Sequence, residues 1–286
     1  MVWTKQNPIR VATHSCPQHL DELIAISLLR RWAEARGTAM EVHFLTRQEI
    51  LRQSSWFDVL IDIGQQFDVA RGRFDHHQDL AAVAGRSSAG LVFDALYADD
   101  PRRAYLEPII RHVDAIDVGV SRPPLSPETR NRGPSMVSVP ALLKAVGGFE
   151  HDPAASRRCL ELIGSLVDSW FRQADALGRA AEVVAAAQCV GAGIFLATDE
   201  AYGPVLLEFL QQETDLAFVG FPTGPDRFQV VAIRGADGHN RVTFPASLAG
   251  ATFVHPQGFL AVFADRDSAR RVFGEAASAP RHHDNG

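Results

Sequence analysis

The sequence predicts an α/β protein, in which a parallel-sheet domain is followed by a smaller α/β domain. Aliphatic segments alternate with amphipathic helical segments before residue 121, as in a parallel sheet whose strands are joined by helices. After a long, alanine-rich segment near residues 154–188, the strand pattern restarts at residue 193. We therefore predict domains over residues 1–188 and 189–278, with residues 279–286 as a disordered tail.

The predicted elements follow from hydrophobic periodicity. In the first domain we expect strands at residues 9–13, 42–45, 58–63 and 73–74, and helices at residues 20–35, 88–97 and 101–114. Ser88 is the predicted cap of the helix that follows it. A polar, proline-rich loop over residues 121–134 precedes helices near residues 136–146 and 154–188. In the second domain we expect strands at residues 193–198, 215–221, 228–234, 251–255 and 258–263, and helices at residues 203–212 and 266–275.

Composition excludes several classes of protein. The chain has 286 residues, 46% of them hydrophobic and 22% charged, which is ordinary for a globular protein. It has no apolar run of about 18 residues, so we expect no membrane span, and residues 1–8 do not resemble a secretory signal. The three cysteines form no CxxC pair, which argues against a disulfide framework or a thiolate zinc site and favours a cytoplasmic location. The net charge of −6 does not suggest a nucleic-acid substrate, although bound metal ions would add local positive charge.

Four clusters of histidine and aspartate lie where predicted apolar segments end. They are His14 with His19, Asp21 and Glu22; Asp62; Asp75-His76-His77; and Asp114 with Asp117. His14, Asp62, His76 and His77 lie at the ends of predicted strands. The carboxyl ends of parallel strands meet at one edge of a sheet, so these four side chains are expected to converge there if the strands are adjacent. Imidazole together with carboxylate suits Mn²⁺, Fe²⁺, Zn²⁺ or Co²⁺. Asp62, a single carboxylate on a central strand, is the natural bridge in a two-metal site for phosphoester or phosphoanhydride hydrolysis.

Several motifs carry a resemblance to a known family. They are residues 13–22, residues 58–64, Phe74 with Asp75-His76-His77-Gln78, residues 87–92, residues 113–119 and residues 252–259. With them the chain resembles the DHH phosphoesterase superfamily, and within it the Myg family (melanocyte proliferating gene 1 proteins, also called metal-dependent protein hydrolases). The resemblance implies a DHH-type catalytic domain and a second domain that binds substrate in a cleft between the two.

The resemblance also implies a site. It assigns metal binding to His14, His19, Asp21, Asp62, His76 and Asp117, contact with the scissile phosphate to His77, and the orientation of ligands to Asp75 and Asp114. Glu22 is expected either to support the ligands or to favour the start of its helix. Ser87 and Ser88 either cap a helix or help to hold a phosphate there.

The second domain departs from the superfamily pattern. The superfamily exonucleases carry a glycine-rich GGGH-type motif, whereas this chain has Val254-His255-Pro256-Gln257-Gly258. His255 either contacts a substrate phosphate or is only a turn residue before Pro256. We expect His255, Arg234 and Gly258 to contribute to substrate binding.

The expected function is that of a phosphodiesterase with two divalent metal ions, Mn²⁺ being the expected metal. The resemblance implies a 3′–5′ exoribonuclease that acts on RNA or short oligonucleotides, with no membrane partner and with a homodimer allowed. One alternative is hydrolysis of a small phosphate compound such as pyrophosphate, a cyclic dinucleotide or a nucleotide. Another is a metal-binding regulatory protein without catalysis, against which the intact His/Asp set argues. No sequence feature supports peptide-bond cleavage.

Overall fold

A computed structural model describes residues 3–15, 17–78, 81–119, 139–148, 151–199, 203–235 and 237–275. The predicted proline-rich loop at residues 121–134 and the predicted tail at residues 279–286 lie outside the described residues. The chain divides into two compact units between Arg172 and Gln173. This division falls inside the long helix, whereas we predicted a boundary after residue 188.

The first unit contains a five-stranded sheet. Its strands are β1 (Ile9–His14), β2 (Met40–Leu45), β3 (Val59–Ile61), β4 (Phe67–Asp68) and β5 (Arg73–Phe74), in the order β2-β1-β3-β5-β4. β1 is parallel to both β2 and β3, and β3 is parallel to β5. The two-residue strand β4 is antiparallel to β5 and was not predicted, because two residues carry no periodicity.

Helices also begin in the first unit. They are α1 (Leu20–Glu34), α2 (Arg47–Gln53), α3 (Ser88–Leu96), α4 (Arg103–Asp117), α5 (Val139–Gly147) and α6 (Pro153–Ala186). α1 packs against α3, and α3 packs against α4. The contact between α1 and α3 brings their N-terminal ends together, since the Ser88 N–H donates to Asp21. The N-termini of α1 and α3 therefore both lie at the edge of the sheet where the parallel strands end.

The start of α3 differs from the prediction by one residue. Ser87, not Ser88, is the N-cap, and its hydroxyl accepts from the N–H of Gly90. Ser88 is the first helical residue and is fully buried. Two consecutive serines satisfy the same capping rule, so the sequence could not choose between them.

The second unit contains the C-terminal part of α6 and a mixed six-stranded sheet. Its further elements are β6 (Gln188–Val190), β7 (Gly193–Phe195), α7 (Pro204–Glu213), β8 (Phe218–Gly224), β9 (Arg227–Ala232), β10 (Ala251–Val254), β11 (Leu260–Phe263) and α8 (Arg266–Glu275). The strand order is β10-β11-β9-β8-β7-β6, and only β7 and β8 are parallel neighbours among the strands described. β6 begins at residue 188, which we had predicted as the end of the long helix.

Aromatic packing defines the core of the second unit. The ring centroids of Phe195 and Phe228 lie 4.8 Å apart, and those of Phe218 and Phe273 lie 4.6 Å apart. Buried aromatic side chains of this size contribute heavily to stability. The predicted α/β fold class, with a larger parallel-sheet unit followed by a smaller unit, is confirmed. Every helix in the described part of the chain is too short or too polar to cross a membrane.

Candidate metal centre

Asp62 lies at the centre of the site. It follows β3, between His14 at the end of β1 and His76 just after β5, because these three strands are parallel neighbours. Its carboxylate reaches both histidines, with 3.2 Å from Oδ2 to His14 Nε2 and 3.2 Å from Oδ1 to His76 Nε2. The backbone of Asp62 is left-handed (φ 59°), a conformation that aspartate and asparagine adopt more readily than most residues.

The first turn of α1 supplies two more carboxylates. Successive helical residues are rotated by about 100°, so the neighbours Asp21 and Glu22 serve different histidines. Asp21 Oδ2 lies 4.0 Å from His76 Nε2, and Glu22 Oε1 lies 3.7 Å from His14 Nε2. Glu22 Oε1 also accepts the backbone N–H of His19, the N-cap of α1, at 2.5 Å. Acidic residues are favourable at a helix N-terminus, so the start of α1 and the site share these residues.

Three overlapping groups of ligand atoms result, each within 4.8 Å. They are His14, His19, Glu22 and Asp62; Asp62, His76 and His77; and Asp21, His76 and Asp117. All six residues predicted to bind metal are therefore brought together, with Asp62 and His76 shared between groups. Glu22 joins them directly, which we did not assign; its spacing of three residues from His19 on the first helical turn was the available signal.

Among the described residues, the carboxylates of the site have histidine partners and no lysine or arginine partner. Asp21, Glu22 and Asp62 are buried, and the Asp117 side chain is 19% exposed. Asp21 Oδ1 and Glu22 Oε2 are buried without a hydrogen-bond partner. Buried carboxylates that lack partners remain ionised only beside a cation, so the donor set fits divalent metal ions.

The pKa values of these carboxyl groups reflect the same excess of buried negative charge. Burial, together with the charges of Asp62 and Asp117, raises the pKa of Asp21 to about 8. Burial also raises the pKa of Glu22 well above its usual range, and that of Asp117 is raised. Protons would thus occupy carboxylates that a metal ion could bind.

The pKa values of His14, His76 and Asp62 shift in the opposite sense, towards the charged forms of these groups. Burial disfavours the charged form of His76, but its hydrogen bond to Asp62 and the nearby carboxylates raise its pKa to about 9. Burial lowers the pKa of His14, but its hydrogen bonds with Asp62 and Ser15, together with the charges of Asp62 and Asp21, raise it overall. Burial opposes ionisation of Asp62, yet hydrogen bonds from His14 and His76 hold its pKa below the usual range.

Two histidines are oriented by their Nδ1 atoms. His14 Nδ1 lies 2.9 Å from the carbonyl oxygen of Ser15, so Nδ1 carries the proton and Nε2 is left to bind. His77 Nδ1 lies 2.8 Å from Asp75 Oδ1, and the His77 side chain is 55% exposed. Asp75 also accepts the backbone N–H groups of His77 and of Gln65. Asp75 therefore holds the turn and the His77 ring in place.

Asp114 contacts Ser87 and Arg86 and belongs to none of the three ligand groups. Its Oδ1 accepts the backbone N–H of Ser87 at 2.9 Å and the Ser87 hydroxyl at 2.7 Å. Its Oδ2 pairs with Arg86, a buried residue that also contacts Asp94. Asp114 thus fixes the segment that leads into α3, one helical turn before Asp117 on α4.

Ser88 has a different partner from the predicted phosphate. Its hydroxyl donates to Asp62 Oδ1 at 3.0 Å, and its N–H donates to Asp21 Oδ2 at 3.3 Å. The side chain is fully buried against these carboxylates. In this structure Ser88 supports the carboxylates and does not offer its hydroxyl to solvent.

The residues predicted to bind substrate in the second unit lie in connecting segments. Arg234 is exposed and forms an isolated bridge with Asn240. The carbonyl of His255 accepts the N–H of Gly258, which closes a turn between β10 and β11. Gly258 has a positive φ (68°), and a Cβ there would lie 2.8 Å from the carbonyl oxygen of Phe244, so the turn requires glycine.

Comparisons with known proteins match the N-terminal motifs. Residues 10–100 match the MYG1 exonuclease family model, described as an uncharacterised protein family (UPF0160). The chain is similar to a MYG1 exonuclease of Homo sapiens, with 27% identity over 144 residues, covering 40% of this chain and 37% of the relative. It is also similar to a MYG1 protein of Schizosaccharomyces pombe, with 25% identity over 193 residues, covering 58% of this chain and 57% of the relative. The chain thus spans between 37% and 57% of the length of these two relatives.

Two solved structures were also matched. One is RecJ in complex with Mn²⁺ from Thermus thermophilus, with 16% identity and a TM-score of 0.28, covering 95% of this chain and 52% of that one. The other is an exopolyphosphatase-related protein from Bacteroides fragilis, with 12% identity and a TM-score of 0.26, covering 96% of this chain and 93% of that one. From the match of residues 10–100 and the MYG1 relatives, the resemblance of this chain to the Myg family is confirmed.

Proposed function

We propose that this protein is a phosphodiesterase that depends on two divalent cations. One observation carries the proposal: four carboxylates converge on one edge of the sheet without lysine or arginine partners among the described residues, and Asp62 is shared between two ligand groups. The four formal negative charges equal the charge of two divalent cations. A shared carboxylate between two ions is typical of enzymes that cleave phosphoesters.

We propose that residues of three ligand groups together hold the two cations. They are His14, His19 and Glu22 with Asp62; His76 and His77 with Asp62; and Asp21, His76 and Asp117, which share His76 with the second group. When bound, two divalent cations would supply positive charge against the negative charge that develops on a phosphoryl group during hydrolysis. We propose Mn²⁺ as the metal, one of the ions that imidazole nitrogens and carboxylate oxygens without thiolate can bind.

His77 is the residue that we propose to act on the substrate. Nδ1 lies 2.8 Å from Asp75 Oδ1 and 3.5 Å from Asp62 Oδ1, so it carries a proton and Nε2 of the exposed ring is left for the substrate. A protonated Nε2 can donate to a phosphoryl oxygen or to the leaving group, and an unprotonated Nε2 can accept a proton. His77 would thus serve catalysis, whereas His76 serves the cations.

We propose RNA or short oligonucleotides as substrates, degraded from the 3′ end. The names of the MYG1 exonuclease relatives support an exonuclease, and the Myg resemblance implies the polarity. A second candidate is hydrolysis of a small phosphate compound such as pyrophosphate, a cyclic dinucleotide or a nucleotide. The net charge of −6 favours this candidate, since it provides no overall attraction for a long polyanion.

The metal-free protein should lose stability as the pH rises from about 7 to about 9. Protonated Asp21 and His76 stabilise the folded state below their ordinary pKa values, and this contribution is lost as the pH rises through about 8 and about 9. Mn²⁺ replaces these protons, so its affinity should rise over the same range. Thermal unfolding with EDTA or Mn²⁺ at each pH, together with calorimetric titration, measures both effects. A melting temperature of metal-free protein that stays constant across this range would contradict the assignment.

Asp62→Asn should lower hydrolysis by at least about a thousandfold, because the bridging charge is lost while the side-chain shape is kept. Asparagine also tolerates the left-handed backbone, so the fold should be preserved. Bound manganese, counted by elemental analysis, should fall below two ions per chain. An Asp62→Asn protein with wild-type activity would exclude the bridge.

One control and one further variant accompany Asp62→Asn. Asp58→Asn removes a carboxylate that pairs with exposed Arg10 before the same strand and should change neither activity nor manganese content appreciably.

His77→Ala should retain both ions and lose rate, because its side chain is exposed and tied to Asp75. Loss of manganese in His77→Ala would overturn the proposed difference between His76 and His77.

Substrate class is tested by a direct comparison. Metal-stripped protein supplied with Mn²⁺ should shorten 3′-extended single-stranded RNA one nucleotide at a time, and should leave RNA with a blocked 3′ end intact. Parallel reactions contain DNA, dinucleotides, cyclic dinucleotides and pyrophosphate. Cleavage confined to pyrophosphate or cyclic dinucleotides would replace the exoribonuclease proposal with the second candidate. Absence of hydrolysis in every reaction, despite bound manganese, would refute both.

We also propose that His255, with Arg234 and Gly258, contributes to substrate binding. His255→Ala should raise the KM for an oligonucleotide several-fold while leaving manganese affinity unchanged, because loss of uniform binding affects KM more than kcat. The exposed His239→Ala of the same unit is the matched control. An unchanged KM would leave His255 as a residue of the β10–β11 turn.

A further inference from the structure

The Ser88 hydroxyl is a buried, uncharged donor to Asp62. It donates to Asp62 Oδ1 at 3.0 Å, the same oxygen that lies 3.2 Å from His76 Nε2. The backbone N–H of Ser88 meanwhile donates to Asp21 Oδ2. The first residue of α3 therefore contacts one carboxylate from each of two neighbouring elements of the metal centre.

The histidine contacts of Asp62 cannot persist in their present form once cations bind. His14 and His76 reach Asp62 through Nε2, which is also the nitrogen that each presents to the ligand groups. A ring nitrogen that binds a metal ion has no proton to donate. The Ser88 hydroxyl does not face this conflict, so among these three donors it alone can still hold the Asp62 carboxylate in the metal-loaded state.

The surrounding structure fixes Ser88 in place. Ser87 donates both its N–H and its hydroxyl to Asp114, which is paired with Arg86. Gly90 allows this approach, since a Cβ there would lie 2.9 Å from Arg86 Nε. The position of the hydroxyl is thus set by a buried ion pair outside the ligand groups.

We infer that Ser88 is a positioning residue for the bridging carboxylate: its hydroxyl sets the orientation in which Asp62 serves both cations. The inference rests on the proposed two-cation site and goes beyond it. A group that orients a ligand from behind typically changes metal affinity by about 10- to 100-fold when it is removed.

The test is manganese binding to full-length Ser88→Ala and Ser88→Thr. Ser88→Ala should bind Mn²⁺ about 10- to 100-fold more weakly and lose the exchange-coupled electron paramagnetic resonance signal of a manganese pair. Ser88→Thr retains a hydroxyl and should recover much of both properties. The matched control is Ser27→Ala, which removes another buried serine hydroxyl that donates to the carbonyl of Leu23.

The outcomes separate this inference from the proposed function. Wild-type protein that binds fewer than two manganese ions would remove the two-cation proposal, and the bridging role with it. Wild-type protein that binds two ions, together with Ser88→Ala of equal affinity and equal signal, would overturn only the role of Ser88. If Ser88→Ala does not fold, Ser88→Cys replaces it: the thiol is of similar size and a weak donor, and Mn²⁺ does not favour thiolate, so weakened binding is again expected.

Discussion

Electrostatic repulsion among buried carboxylates is the constraint on which this centre depends. Asp21, Glu22 and Asp62 are buried at the same edge of the sheet, and Asp117 of α4 lies there as well. Burying such charges without partners is costly, so the surroundings are arranged to offset it. The N-termini of α1 and α3 both meet this edge, and their free N–H groups favour negative charge there. Among the described residues, these carboxylates pair with histidine and not with lysine or arginine. The carboxylates therefore remain available to a metal ion.

The convergence of distant motifs was predictable from simple rules. His14 and Asp62 are 48 residues apart in sequence, yet they meet because each follows a strand of one parallel sheet. The aliphatic strands and the alternation with helices predicted that sheet, and the strand-end rule then predicted the edge where function gathers. Asp117 was assigned through the family resemblance, since a helix end carries no comparable geometric signal.

Other features depend on contacts that no sequence pattern reveals. The ligand position of Glu22 follows from the rotation of α1 about its axis, which packing against α3 determines. The choice of Ser87 as the cap leaves Ser88 to contact Asp62, and the bond from the Ser87 hydroxyl to Asp114 favours this choice. Short strands such as β4 and β6 form because a neighbouring strand supplies hydrogen-bond partners. Tertiary contacts therefore settle these details, whereas periodicity settles the architecture.

The capping of α1 has a consequence for the choice between cations of different size. Glu22 Oε1 is engaged by the N–H of His19, so Oε2 is the oxygen with no partner. Calcium is held by six to eight oxygens, often with both oxygens of one carboxylate, whereas smaller ions accept one oxygen from each. Because the N-terminus of α1 occupies Oε1 of Glu22, this carboxylate offers one oxygen to a metal ion. That arrangement disfavours the many-oxygen coordination shell of calcium and suits a smaller divalent ion.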